Sequence, residues 1–176
     1  MSASPKNLLI ESDMSEHQSK LTNALGYLGL VPFAVPLAVV IDAALSPRGV
    51  HSAAIFGLYA PFVFATYSAC ILSFLAGVLW RDHSESTAGA PSMLVISNLI
   101  TLLAWGCLLA VHVSQYAALF ALIVLIAGFA TLLRAEQITT VKPPMYARMR
   151  VRLTTLVCAM HMICLLYTSD AADDGL

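Results

Sequence analysis

Long apolar stretches separated by short polar segments dominate the pattern of hydrophobic positions along the chain. At a rise of about 1.5 Å per residue, about twenty helical residues cross the ~30 Å hydrocarbon core of a bilayer. Four stretches meet that length, and a fifth begins near Val151 but becomes polar after about fifteen residues. An open strand would leave backbone groups unpaired in lipid, so helices are expected. The pattern predicts five transmembrane helices, at about residues 24–45, 60–80, 92–112, 116–133 and 151–166.

Prolines and one short connection modify this picture. The second stretch, Ala53 to Trp80, has 28 residues and would reach about 42 Å as a single helix, which is too long. Pro61 lacks an N–H, so we expect a short interfacial piece at about 53–60 before the true span. Pro32 and Pro36 are expected to bend the first helix. Residues 112–115 leave room only for a tight turn, which predicts an antiparallel hairpin of the third and fourth helices.

Composition supports a membrane protein. Hydrophobic residues make up 59% of the 176 positions, charged residues 11%, and the mean hydropathy is +0.82. A soluble domain carries about a quarter charged residues, so these values exclude an ordinary soluble enzyme and a disordered chain. A nucleic-acid binder needs a basic face, and none is present. The predicted fold class is an all-α polytopic bundle whose first partner is the lipid bilayer.

The basic residues indicate an orientation. Eight of the nine fall on one predicted side of the membrane, and Arg48 alone falls on the other. This asymmetry favours a cytoplasmic amino terminus. Residues 1–23 form a polar tail without the pattern of a secretory signal or a transit peptide, so we expect a bacterial inner (plasma) membrane. The eight residues are Lys6, Lys20, Arg81, Arg134, Lys142, Arg148, Arg150 and Arg152.

The last thirteen positions, 164–176, differ in character from the multi-pass domain at 24–163. The string from Cys164 to Asp174 resembles the in-frame translation of a sequencing adapter. The apolar pattern that begins at Val151 also turns acidic before a full crossing is complete. We therefore expect native sequence to end near Ile163 and the fifth helix to be truncated; a short acidic tail is the alternative.

Four segments, each within a predicted helix or at its edge, carry a resemblance to a known family. They are Leu25–Phe33, Tyr67–Trp80, Ser97–Trp105 and Tyr146–Thr154. In this order they resemble the domain of unknown function 3429, a family that includes the eukaryotic transmembrane protein 69. The resemblance covers about residues 24–163 and implies five membrane helices without an established activity. Ala76 stands where the resemblance leads us to expect glycine, and Met145 where it leads us to expect an aromatic residue.

Small residues on the second helix predict a site of close helix packing. Ala69, Ser73 and Gly77 recur at four-residue spacing, which forms a groove that a neighbouring helix can enter. The neighbour can be a helix of the same chain or of another subunit. We favour this structural role over a role in substrate binding.

Polar residues on the third helix form a second candidate feature. Asn98, Trp105 and His112 recur every seven residues, with Thr101 between them, so they share one face. Such a face is expected to point at protein or water rather than lipid. An interhelical hydrogen-bond seam is the favoured interpretation, and a path for a small solute or proton is the alternative.

Arg148, Arg150 and Arg152 mark the cytoplasmic edge of the fifth helix. We expect them to anchor the helix to anionic headgroups, at about 1 kcal/mol per basic residue. Asp42 is expected near the outer interface, where it can remain hydrated.

No motif for catalysis or cofactor binding is present, and we expect no catalytic, cofactor or metal site. Cys158 and His161 share a helix face that Met160 and Met162 do not, so one helix cannot assemble these soft ligands. His112 and His161 differ in predicted depth by about 15 Å, which excludes paired haem ligation. The four cysteines, at 70, 107, 158 and 164, lack CxxC spacing and are expected to pack as apolar residues.

Two hypotheses for function follow. The favoured one is a non-enzymatic structural or assembly protein that associates with other membrane proteins or with itself. The alternative is a small-solute transporter or channel that uses the polar stripe on the third helix.

Overall fold

Six helices account for most of the residues that the structure describes. The computed structural model describes residues 20–47, 49–84, 90–139 and 143–173. The helices are α1 (residues 20–28), α2 (Val31–Leu45), α3 (Ala60–Ser84), α4 (Ala90–Ala110), α5 (Gln115–Thr139) and α6 (Pro144–Asp173). Within this described part, α1 with α2 and each of α3 to α6 are long and apolar enough to cross a membrane. The protein is therefore an all-α polytopic membrane protein with five predicted crossings, as expected. Residues 1–19, Arg48, Lys142 and the side chain of Arg81 lie outside the described part.

The first crossing is broken where α1 meets α2, at Gly29 and Leu30. Pro32 lies in the first turn of α2, where a missing N–H leaves no helical bond unmade, and Pro36 lies inside that helix. The phenol of Tyr67 on α3 donates a hydrogen bond of 3.1 Å to the carbonyl of Gly29. A neighbouring helix therefore supplies a donor to the Gly29 carbonyl at the break.

A compact loop joins α2 to α3. It contains a 3₁₀ turn at Val50–Ser52 and two short antiparallel strands, β1 (Ala54–Ile55) and β2 (Leu58–Tyr59). Phe56 and Gly57 connect the strands with φ of 51° and 79°, so this is a two-residue hairpin turn in the left-handed region. Val50 and Ala53 pack with residues of α2 and with Ala60, which attaches the loop to the end of the bundle.

Helix α3 lies at the centre of the described bundle, where it packs mainly on α2, α4 and α5, while α6 packs mainly on α2 and α5. Helices α3 and α6 also meet, at Ser68 and His161. The contact of α3 with α5 is close, because a Cβ added to Gly128 would meet Leu72 Cδ2 at 2.6 Å. The contact of α3 with α4 is formed at Ala76, whose carbonyl accepts a hydrogen bond of 2.6 Å from the Ser97 hydroxyl. Helices α4 and α5 form the expected hairpin through a turn at residues 111–113, and the Ser114 side chain accepts a bond from the Ala117 N–H.

The last helix differs from the sequence expectation. It begins at Pro144, not near Val151, and its apolar span of 26 residues, Pro144–Ser169, is long enough to cross. The sequence interpretation was wrong here because the arginines were read as the helix edge. Arginine can keep an apolar stem along the helix and extend its charge outward. The helix continues through residues 164–173, with Cys164 and Thr168 buried, so the length argument for truncation no longer holds.

Candidate functional site

A hydrogen bond between two buried side chains lies inside the bundle. Ser68 on α3 and His161 on α6 are both fully buried, and the Ser68 oxygen lies 2.6 Å from Nε2 of the imidazole. Nδ1 lies 2.8 Å from the carbonyl of Val157. A carbonyl only accepts, so Nδ1 carries the proton and Nε2 accepts the hydroxyl of Ser68.

Three phenylalanines enclose this pair. Their ring centroids lie 5.9 Å (Phe33), 4.7 Å (Phe64) and 5.7 Å (Phe129) from that of His161. A serine bonded to an imidazole is the core of many hydrolytic sites, but there the second ring nitrogen is held by a carboxylate. Here a backbone carbonyl takes that place, and neither residue lines a described cavity. The arrangement is that of a buried hydrogen bond joining two helices.

The polar stripe of the sequence analysis lies on the outside of the bundle. The side chains of Asn98, Thr101 and His112 are exposed, and Trp105 is 60% exposed. Asn98 donates to the carbonyl of Leu94 and Thr101 to that of Ser97, both within α4. The hydrogen bonds of Asn98 and Thr101 therefore join them to their own helix: α4 turns Ser97 inward, and the residue next to it in sequence faces outward. A seam with a helix of another protein stays a prediction. His112 packs its ring against Phe62, with centroids 5.4 Å apart.

The predicted small-residue groove is split between two faces of α3. Ala69 is buried and Ser73 is half-buried, but Gly77 is exposed and a Cβ added there meets no atom within 4 Å. The fully buried neighbour Ala76, where the resemblance led us to expect glycine, makes the contact with α4. The described helices of this chain therefore cover the groove at Ala69 but not at Gly77, and packing of Gly77 against another subunit stays a prediction. Residues that recur every four positions are rotated by about 40° at each step around a straight α-helix, so over two steps they move away from a single packing face.

An ion pair lies among the arginines that were expected to bind headgroups. Arg150 contacts Glu136 Oε2 through both Nε (3.0 Å) and one terminal nitrogen (2.8 Å), and each side chain is 11% exposed. Arg148 and Arg152 are exposed, with Arg148 donating to the carbonyl of Pro144. Headgroup anchoring stays a prediction for Arg148 and Arg152. For Arg150 it is modified, because an acidic partner on α5 holds the guanidinium.

A cavity of about 220 Å³ opens at the other end of the bundle, beside the α4–α5 turn. Its floor is apolar and includes Phe62, Ala65 and Leu122, while its polar residues are His51, Tyr59, His112, Ser114, Gln115 and Thr168. Burial raises the pKa of the Tyr59 phenol above its ordinary value of 10.0. Asp42 is exposed near the end of α2.

The soft side chains on α6 do not converge. Both nitrogens of His161 are used in hydrogen bonds, Cys158 is half-buried, and Met162 is 47% exposed. Among the residues that the structure describes, no three His, Cys, Asp or Glu side chains are grouped so as to hold a metal ion. The cysteines are free, and Cys70 is exposed, contrary to its expected apolar packing, because its face of α3 points away from the bundle.

Comparison with known proteins identifies the family to which the chain belongs. A family model described as "Protein of unknown function (DUF3429)" matches residues 18–166. The chain belongs to the DUF3429 family. No curated protein and no solved structure matches this DUF3429 protein.

Several contacts of this DUF3429 protein were missed from the sequence. Ser68 and His161 each lie eight residues from an end of their spans, Ala60–Leu79 and Pro144–Ser169, at the same end of the bundle. That equal depth, about 12 Å, is the signal that could have paired them. The apolar pattern ends the predicted fourth helix at residue 133 and leaves Glu136 outside it, whereas α5 continues to Thr139. The sequence contains no signal that singles out Gly128 from the other glycines.

Proposed function

We propose that this DUF3429 protein is a non-enzymatic interaction protein of the membrane, whose outward α4 face packs against another membrane helix. The observation that carries the proposal is the position of Asn98. Its side chain is exposed on the outside of the bundle, six residues into the 19-residue span Ser92–Ala110, about a third of the way through the span.

The carboxamide of Asn98 makes one hydrogen bond within its own helix, to Leu94. A carboxamide has two N–H donors and a carbonyl acceptor, so a second donor and the Oδ1 atom have no partner among the described residues. Polar groups without partners in hydrocarbon carry a cost of several kcal/mol. A second helix that supplies a donor and an acceptor removes part of that cost.

The spacing on this face also suits helix association. Asn98, Thr101 and Trp105 follow one another on α4 at intervals of three and four residues, the spacing of a left-handed helix pair, whereas His112 lies beyond the end of α4. Gly106, beside Trp105, has open space where a Cβ would lie, which allows a partner backbone to approach. Exposed Leu102 and Leu109 flank the polar positions.

The outward orientation of these side chains favours interaction over the alternative of solute transport. A path between the helices of one chain needs its polar side chains inside the bundle. The non-enzymatic part of the proposal is supported by the enclosure of Ser68 and His161, the serine–imidazole pair found in the bundle centre.

Site-specific photocrosslinking in native membranes tests the proposal. A photoreactive residue in place of Leu102, which is 60% exposed on α4, is expected to form a protein adduct. The same residue in place of Ile123, which is 51% exposed on α5, serves as the control and is expected to react with lipid. The mass of the adduct distinguishes a second copy of this chain from a different membrane protein.

If the adduct yield depends on Asn98, the crosslink reports a specific interface rather than a chance contact. Asn98→Leu is expected to lower the adduct yield about threefold, since an interhelical hydrogen bond contributes about 0.6 kcal/mol on average. Thr155→Leu is the matched control, because Thr155 is also exposed and also bonds a carbonyl four residues before it, on α6. Equal yields from the two variants, or adducts with lipid alone at position 102, would contradict the proposal.

A further inference from the structure

A lateral groove lies between α1, α3, α5 and α6 at the basic end of the bundle, which we define by Arg134, Arg148, Arg150 and Arg152. Its volume is about 290 Å³. An adjoining cavity of about 250 Å³ shares Phe74, Leu75, Tyr146 and Arg150 with it. Leu25 and Phe74 line the groove and are 61% and 69% exposed, so the groove opens toward lipid.

The dimensions and lining of the groove suit one acyl chain. Along α6 it extends from Tyr146 to Val157, eleven residues or about 16 Å, close to half of the ~30 Å hydrocarbon core. Away from the basic end its walls are apolar, formed by residues that include Leu30, Phe33, Ile71, Phe129, Leu153 and Val157.

The chemistry at the mouth of the groove suits a phosphate. Arg150 lines both cavities, and its bonds to Glu136 use two of the five N–H donors of the guanidinium. A guanidinium binds phosphate oxygens through paired hydrogen bonds. Apart from Glu136, the charged side chains described around Arg150 are positive. They are Arg134, Arg148 and Arg152, which are all exposed at this end of the bundle.

Glu136 gives Arg150 a defined place. The exposed arginines beside it can extend along the membrane surface, whereas the ion pair keeps the Arg150 side chain 11% exposed at the edge of the groove. The carboxylate therefore acts as a positioning group for the arginine. The two charges also cancel, so the pair lies at the membrane edge without an isolated buried charge.

We propose that this groove binds one anionic phospholipid from the leaflet at the basic end, with an acyl chain along α6 and the phosphate on Arg150. The site differs from general attraction between arginines and headgroups in two respects. It needs one particular arginine, and it needs an empty groove beside that arginine.

The test is native mass spectrometry of the full chain, released in mild detergent from phosphatidylcholine vesicles with and without phosphatidylglycerol. Wild type is expected to retain one phosphatidylglycerol in preference to phosphatidylcholine. Arg150→Gln is expected to weaken retention about tenfold or more, because a charge-assisted hydrogen bond is lost. Arg152→Gln removes the same charge two positions along α6 and is expected to weaken retention by no more than about fivefold, the effect of surface attraction alone.

A second pair of variants tests the groove without disturbing the ion pair. Ile71→Trp adds a large side chain inside the groove and is expected to abolish retention of the lipid. Ile123→Trp makes the same change on the outer surface of α5 and is expected to leave retention unchanged. If Arg150→Gln does not fold, the comparison of Ile71→Trp with Ile123→Trp decides whether the groove holds the lipid.

Three outcomes would overturn the proposal. They are equal losses from Arg150→Gln and Arg152→Gln, retention of phosphatidylglycerol by Ile71→Trp, and the absence of any preferred lipid on wild type. In the last case, crosslinking from position 71 to residues 1–19 would identify the amino-terminal tail as the occupant.

Discussion

The hydroxyl of Ser68 lies 2.6 Å from Nε2 of His161, and both side chains are fully buried between α3 and α6. The two residues are 93 positions apart in the chain. Three phenylalanine rings enclose their bond. Because water cannot replace either partner there, the pair specifies how α3 and α6 are rotated against each other.

Removing this bond is expected to destabilise the fold. Ser68→Ala should lower the free energy of unfolding in detergent by about 1–2 kcal/mol, because Nε2 of His161 loses its donor in a buried site. Thr155→Ala removes an exposed hydroxyl from α6 and should change stability by less than about 0.5 kcal/mol. A Ser68→Ala variant as stable as Thr155→Ala would show that the bond contributes nothing.

Breaking the Glu136–Arg150 pair from one side is expected to cost more than removing both charges. Arg150→Gln should lower the free energy of unfolding by about 1–3 kcal/mol, because it removes the two charge-assisted hydrogen bonds that Arg150 donates to the Glu136 carboxylate, which is 11% exposed. The double change Glu136→Gln with Arg150→Gln should restore part of this loss. Thermal unfolding of wild type, Arg150→Gln and the double variant in one detergent measures their order of stability. A double variant less stable than Arg150→Gln would contradict the prediction.

Gly128 is expected to tolerate no larger side chain. Gly128→Val should destabilise the protein by about 1–3 kcal/mol, because the new Cβ would meet the buried side chain of Leu72 at 2.6 Å. Gly77→Val is the matched control on α3, where the Cβ meets no atom within 4 Å, and it should be nearly neutral. Adding Leu72→Ala to Gly128→Val should recover stability; failure to do so would locate the strain elsewhere.

Replacing Phe56, in the hairpin turn between β1 and β2, with a residue that favours positive φ is expected to stabilise the protein. A phenylalanine at φ 51° is strained, whereas asparagine adopts this conformation readily before glycine. Phe56→Asn should therefore raise the free energy of unfolding by about 0.5–1 kcal/mol in detergent. Phe56→Ala keeps the strain and should give no gain, so equal stability of the two variants would show that backbone conformation is not the cause.

The number of crossings could be predicted from the sequence, but their ends could not in every case. Pro144 lies outside the apolar run, and three arginines follow it, yet α6 begins there. Helix ends at a membrane edge depend on where long basic side chains direct their charge, and hydropathy does not record that direction. The α4–α5 hairpin was predictable because its turn is short and local.

The faces of the helices were harder to predict than their positions. Asn98 and Ser97 are neighbours on α4, but Ser97 bonds Ala76 in the interior while Asn98 lies outside. On α3, likewise, Ala76 is buried in the interior while its neighbour Gly77 lies outside. In each pair the sequence pattern pointed to the residue that proved to face outward.

The sequence by itself determined that the chain is a membrane protein with five apolar helices, because hydropathy and span length are properties of local segments. Only the tertiary structure decided how each helix is rotated, which joined Ser68 to His161 and Glu136 to Arg150. The physical reason is the solvent. Lipid tails are as apolar as leucine, so a leucine gains little by facing inward, and helix rotation is set by close packing and a few polar contacts between distant residues.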